Sequence, residues 1–385
     1  MKKNKSENIV SQINTNVFFK EFTFTKNEFI DETTNNELEF SDNVIWLDDI
    51  FFIYEIKERE NNNAQGEVAW FKNKVLNKAV KQVKNTHKYF EKFSEIPIIN
   101  ERGHTKDISE ANLSDIQNVI IYSTSTDFDE DYRFIKFYES QSIGLIHLFH
   151  SEDYYWVCKY LSTPAEVKEY FLFREELFTN HPKVLNRLPE QYVLGHFFET
   201  IDTSIINPRY VENLKNVDSD VGDYDMTHII DNFNKKIKLI SEKTEYYPII
   251  AEIAKLNRAE LIEFKKRFTR AIEMCQDEEV DLPYRMYLPR TNCAFVFIPI
   301  IQKYVENWKT ALTNYTRAQK YDQRAEKCVG VAIFEALENN EKYFEMFWLF
   351  IDGEWKFNKE VEEILAKNPP FRDVKTKRLN NRYLK

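Results

Sequence analysis

Residues 41–59, SDNVIWLDDIFFIYEIKER, constrain the fold more than any other stretch, because two short runs rich in Val, Ile, Phe, Tyr and Trp meet across a pair of aspartates. Runs of this composition suit strands, and Asp48 and Asp49 suit a tight turn between them. With those two residues as the turn, Leu47 faces Ile50 and, counting outward, Asp42 faces Glu55. Side chains alternate along a strand and opposed residues share a face, so Asp42, Glu55 and Lys57 converge at one end of the hairpin. Two carboxylates and an ammonium there are a poor choice for packing, since burying each costs several kcal/mol unless it is paired or bound to metal. They suit capture of a hard divalent cation. The competing reading is an exposed hairpin end with a surface salt bridge, worth roughly 0–1 kcal/mol.

The acid-x-Lys pattern alone carries little weight. It recurs at Glu166, Glu263, Glu354 and Asp373 in a chain that is 30% charged. Those copies fall in segments that read as helical or as tail, without an opposed acid; only Glu55 and Lys57 have strand context and a partner in register.

With 385 residues, 43% of them hydrophobic and 15% aromatic, the chain is long and apolar enough for two globular domains. The expected division is residues 1–178 and 179–385. The formal charge of −10 means that attraction to nucleic acid must come from local basic surface rather than net charge. Four cysteines lie scattered without C-x-x-C spacing, and the N-terminus carries no signal-peptide pattern, so the expectation is a cytoplasmic protein with reduced thiols. No apolar run approaches the roughly 20 residues of a membrane helix.

Along the chain, residues 17–24 alternate as a strand or as the entry to one, and contain Glu21. A helix is expected over 68–93, with Val75, Ala79, Val83 and Phe90 on its apolar stripe and Gln82, Thr86 and Tyr89 beside it. Strands at 119–124 and 145–149 and helices over 151–179 complete the first half. Beyond it, helices are expected over 192–199, 226–241, 247–275, 296–325 and 331–350, with an extended linker over 203–224.

The order of a strand entry, an Asp-hairpin-Glu-x-Lys and an amphipathic helix bearing Gln resembles the PD-(D/E)XK nuclease superfamily, most closely its nuclease-related-domain and Mrr-like restriction endonuclease group, over roughly residues 15–150. The resemblance implies an α/β restriction-endonuclease-like core, a mixed sheet flanked by helices, followed by a mainly α-helical accessory domain. It implies Asp42, Glu55, Lys57 and Gln82 as catalytic residues, and Mg²⁺ (or Mn²⁺) held by Asp42, Glu55 and the backbone carbonyl of Ile56, with Glu21 as a further ligand. Ser41 stands where the family has Pro, and Thr86 replaces the Tyr of the Gln-xxx-Tyr form. The implied activity is metal-dependent phosphodiester hydrolysis of nucleic acid, DNA favoured, in bacterial defence, controlled by a partner protein or by self-assembly. The alternative is a noncatalytic interaction protein that keeps a nuclease-like core.

None of the seven glycines builds a phosphate-cradling loop. His147 and His150, at a strand end, read as satisfied histidines. Arg317, Lys320, Arg324 and Lys327 form a basic stretch whose ordinary reading is a solvated helix face and whose functional reading is a lining for nucleic acid.

Overall fold

The computed structural model describes residues 4–60, 66–124, 128–226, 230, 233, 242–276, 282–338, 341–373 and 375. The chain divides into two compact units, one ending at Ser219 and the next beginning at Asp220. The division expected after residue 178 falls inside the helix Pro164–Asn180, which opens on a Thr163 cap with Pro at its first position and packs within the first unit.

The first unit is built on an eight-stranded mixed sheet. Its strands are β1 (Thr23–Lys26), β4 (Asn43–Leu47), β5 (Ile50–Glu58), β6 (Pro97–Asn100), β7 (Thr105–Asp107), β8 (Ile116–Ser123), β9 (Phe137–Ser140) and β10 (Gly144–His150), in the order β7-β6-β1-β4-β5-β8-β10-β9. β2 (Glu28–Asp31) and β3 (Asn36–Glu39) form a separate small hairpin. β5 and β8 are parallel, as are β8 and β10, and such pairs need long crossovers.

Helices cover both faces, which is why the central strands are apolar throughout. One face of β5, with Phe51 and Ile53, packs with the helical stretch 67–92, whose Phe90 meets Phe51 edge-on. The other face, with Phe52 and Tyr54, packs against Phe18 of the first helix Lys5–Phe18, Tyr154 of Ser151–Leu161 and Phe171 of Pro164–Asn180. The 67–92 stretch includes wide π-type turns over Phe71–Ala79, a form that appears often at functional sites.

The second unit differs from expectation. It is not mainly helical: a four-stranded sheet, β11 (Tyr284–Leu288), β12 (Cys293–Pro299), β13 (Lys327–Glu338) and β14 (Glu341–Ile351), lies between helices that include Arg258–Met274 and Trp308–Asp322. The described residues of 331–350, expected as helix, belong to the antiparallel pair β13 and β14; continuous apolar runs do not separate a buried strand from a helix by period, and the Val, Ile, Phe and Trp content decides for strand. Within 296–325, β12 ends at Pro299, the Ile300 N–H still donating to the Ile333 carbonyl at 2.8 Å, and the helix starts only at Trp308. The span 247–275 is two helices, the second restarted by an Asn257–Glu260 capping box. In 203–224, residues Pro208–Asp220 wind as tight helical turns. The helix expected over 226–241 lies outside the described residues apart from Met226, Ile230 and Phe233, as does the basic terminal segment after Lys375. Among the described residues, no helix is long and apolar enough to cross a membrane.

Candidate active site

The β4–β5 hairpin has the register that its turn dictates: Leu47 faces Ile50 and Asn43 faces Tyr54. Asp48 takes the left-handed conformation (φ 53°), which Asp tolerates better than most residues. One step beyond Asn43 and Tyr54, Asp42 and Glu55 come together. The Ile56 N–H donates to Asp42 Oδ2 at 2.6 Å, fixing the carboxylate against the strand. Lys57 Nζ lies 3.2 Å from Asp42 Oδ2, 3.0 Å from Glu55 Oε2 and 3.0 Å from the Ile56 carbonyl oxygen. The three side chains are 10%, 3% and 14% exposed, so this is not a solvated surface salt bridge.

Burial, reinforced by the charge of Asp42, pushes the Glu55 carboxyl up to about 8 even though Lys57 opposes the shift. Burial pulls on Lys57 the other way, but Glu55 and Asp42 outweigh it and hold the ammonium above its ordinary range. The geometry is therefore three oxygens, two carboxylate and one carbonyl, converging on one cation. That donor set suits Mg²⁺ or Mn²⁺, which bind oxygen, though a metal at about 2.0–2.1 Å requires the ammonium to move aside. Among the described residues no group of three or more His, Cys, Asp or Glu side chains is placed to hold a metal; the candidate centre has two carboxylates and depends on the carbonyl.

Gln82 lies on the helix covering this face. Its Oε1 is buried without a hydrogen-bond partner, an acceptor left open. One turn on, Thr86 donates to the Phe40 carbonyl at 2.6 Å and so pins the helix over the approach to Asp42. The next turn brings Tyr89, whose phenol is raised by burial and by the charges of Glu55 and Glu39, against the opposing Lys92. Glu39, at the end of β3 and exposed, was not foreseen: partial desolvation and then the nearby Asp42 charge raise its carboxyl. The signal in the sequence was its position three residues before Asp42.

A second feature legible only in three dimensions lies on the opposite face of the hairpin. Asn14 Nδ2 donates to Asn43 Oδ1 at 2.8 Å, Tyr154 Oη donates its one proton to Asn14 Oδ1 at 2.6 Å, and the Tyr54 hydroxyl, 2.9 Å away, donates to Tyr154 Oη. All four side chains are buried. Asn43 and Tyr54 are register partners and immediate neighbours of Asp42 and Glu55, so this network holds the pair that carries the site.

Other candidates fall elsewhere. Glu21 is not at the site: the β1–β4 register, with Thr23 facing Ile45, carries it toward Leu47 and away from Asp42, and its carboxylate accepts from Arg102 Nε at 2.7 Å. In the basic stretch, Lys320 binds the carbonyls of Ala325 and Gly353 at 2.9 and 2.5 Å, and Lys327 pairs with Glu252 at 3.0 Å. Arg324 lies 5.3 Å from the Trp355 ring centroid, and Arg317 is exposed. The four do not act as one basic face, since two are committed to local structure. His147 is buried against Arg174, Gln117 and Glu175, and His150 caps the helix Ser151–Leu161. In comparisons with family models, with curated proteins and with solved structures, none matches the chain.

Proposed function

We propose that the protein is a metal-dependent nuclease, a hydrolase of phosphodiester bonds acting on nucleic acid with DNA favoured, in the cytoplasm and in defence against foreign DNA. The observation that carries this reading is the convergence of Asp42 Oδ2, Glu55 Oε2 and the Ile56 carbonyl on one point at the end of a register-locked hairpin. These groups would hold Mg²⁺ or Mn²⁺. When bound, the ion would polarise the scissile phosphate and lower the pKa of the attacking water. Lys57, freed from the carboxylates, positions that water or meets charge developing on the phosphoryl oxygens. The open Gln82 Oε1 accepts a hydrogen bond from a water and so orients it. Asp42, fixed by the Ile56 N–H, holds its oxygen in place before substrate arrives.

A second reading, a noncatalytic interaction protein, is favoured by one observation: Lys57 already satisfies both carboxylates and the carbonyl without a metal. Metal binding and cleavage separate the two. Labelled plasmid, linear DNA, single-stranded DNA and RNA are incubated with Mg²⁺ or Mn²⁺ and the wild type, Glu55→Gln or Lys57→Ala, after the variants are shown to be folded. The nuclease reading expects cleavage that falls at least about a hundredfold in both variants. Absence of cleavage, together with no Mn²⁺-dependent thermal shift requiring Asp42, would sink it and leave the interaction protein.

A further inference from the structure

Charge is spread unevenly over the helical stretch that covers one face of the first unit's sheet. Between Lys72 and Lys92 it carries seven lysines and one acid, Glu91, in a chain whose net charge is −10. Its apolar side is buried on the sheet, where Phe71, Val75 and Val83 cluster with Ile120, Tyr122 and Leu148. Its outer side is polar without interruption: every exposed position from Lys72 to Lys92 is Lys or Asn, apart from Glu91.

Lys74, Lys78, Lys81, Lys84, Lys88 and Lys92 follow one another at intervals of three or four residues, so each is the next one's neighbour on the helix surface. Successive like-charge neighbours weaken a helix, and a face that is merely solvated avoids this by mixing signs. The fold relieves the repulsion only at the margins. Lys72 and Lys84 lie over the rings of Tyr132 and Tyr138, and Lys92 pairs with Asp31 at 2.7 Å. Among the described residues, Lys74, Lys78, Lys81 and Lys88 form no ion pair. A row of cations kept together at a cost in helix stability, and left open, calls for an extended anion.

We infer that this face binds the sugar-phosphate backbone of a nucleic acid duplex. The run from Lys74 to Lys88 covers roughly 20 Å of helix, the axial length of about six phosphates on one DNA strand. Asn73 and Asn77, exposed among the lysines, add hydrogen-bond donors for phosphate oxygens. A membrane surface would be held by apolar side chains beside the basic ones, and a protein partner by a desolvated apolar or aromatic centre; the exposed positions offer neither. Contacts to the backbone carry no sequence information, so the face takes duplex of any sequence. The inference rests on the proposed function for the kind of polyanion, and it needs neither metal nor cleavage.

Fluorescence anisotropy of a labelled DNA duplex with the full chain, in EDTA so that no cleavage can contribute, tests it over a salt series from about 50 to 200 mM. The test variant is Lys74→Gln/Lys78→Gln/Lys81→Gln. Its control, Lys20→Gln/Lys183→Gln/Lys356→Gln, removes the same net charge from exposed positions elsewhere. Gln keeps the helix propensity of Lys, and circular dichroism confirms that both variants are folded. The expected result is wild-type binding that weakens steeply with salt, a test variant at least about tenfold weaker with a salt slope shallower by roughly 2–3, and a control close to wild type. Each single substitution should lower the slope by about 1, a readout that does not depend on the triple variant. Wild type that fails to bind at the lower salt overturns the inference, as does a control that loses as much as the test variant. Binding to phosphatidylcholine vesicles that requires added phosphatidylserine and these lysines, without binding to duplex, assigns the face to a membrane and overturns it too. Because no metal is present, loss of this binding leaves the cleavage test of the hairpin site untouched, and loss of cleavage leaves this one.

Discussion

Glu55 is where burial and chemistry conflict most sharply. A carboxyl pushed up to about 8 is mostly protonated at neutral pH, yet a metal ligand must be ionised. The proposed metal binding therefore has to release a proton. Below about pH 8, Mn²⁺ affinity should tighten by up to roughly tenfold per pH unit, flattening above it, with proton release measurable by titration calorimetry in buffers of different ionisation enthalpy. Glu55→Gln should remove that dependence along with most of the affinity. The metal-free protein should show the opposite face of the same shift. A carboxyl whose folded pKa is raised above its ordinary 4.5 favours the fold while protonated, and that contribution is lost as pH rises from about 4.5 toward 8. Thermal stability without metal should fall across that window in the wild type and less in Glu55→Gln. The Asp42–Glu55 pair was legible in the sequence because a two-residue turn fixes the register locally. Glu21 was misplaced because its position depends on how β1 pairs with β4, and no local signal sets that pairing.

The same contrast runs through the elements. The hairpin, the covering helix and the strands β8 and β10 follow from local period and turn chemistry. The second sheet does not, because its strands are apolar on both faces and carry no alternation; only β-branched and aromatic content and Pro299 separate them from helix. One glycine records how close that packing is. A Cβ on Gly330 of β13 would stand 1.9 Å from Thr316 Oγ1 of the facing helix, so Gly330→Ala should destabilise the second unit by roughly 1–3 kcal/mol, read by denaturant unfolding. Thr316→Ala in the same chain should recover part of that loss. In the first unit the Asn14–Asn43–Tyr154–Tyr54 network makes a different prediction. Asn14→Ala leaves buried partners unsatisfied, costing about 1–3 kcal/mol, and should also lower Mn²⁺ affinity although Asn14 touches none of the three metal-facing groups. Unchanged affinity in a destabilised but folded variant would make the network structural only.

At the scale of the whole molecule, the first unit stakes much of its stability on one buried ion cluster. Arg174, fully buried, donates from Nε to Glu190 Oε1 at 2.8 Å and from its other nitrogens to the carbonyls of Lys136 and Leu148, while Lys136 Nζ lies 3.4 Å from Glu190 Oε2 and Tyr170 donates to the same carboxylate. The cluster joins the β9–β10 margin of the sheet to two helices, so it acts as a long-range tie rather than a local one. Burial would raise the Glu190 carboxyl, but Arg174 and then Lys136 outweigh it and hold it down at about 2. A carboxylate whose folded pKa is depressed contributes stability that is fully present above its ordinary 4.5 and is lost as pH falls through about 2. Acid unfolding of the first unit should therefore steepen over that window. Glu190→Gln removes the charge that balances two buried cations, and should cost about 3–5 kcal/mol at neutral pH while flattening the acid limb. Denaturant titrations of wild type and variant at a series of pH values check both. A variant as stable as wild type at pH 7, or one that keeps the full acid slope, would mean that the cluster is replaceable packing and that the tie between sheet and helices rests on the apolar contacts of Phe137, Phe149 and Phe171 around it.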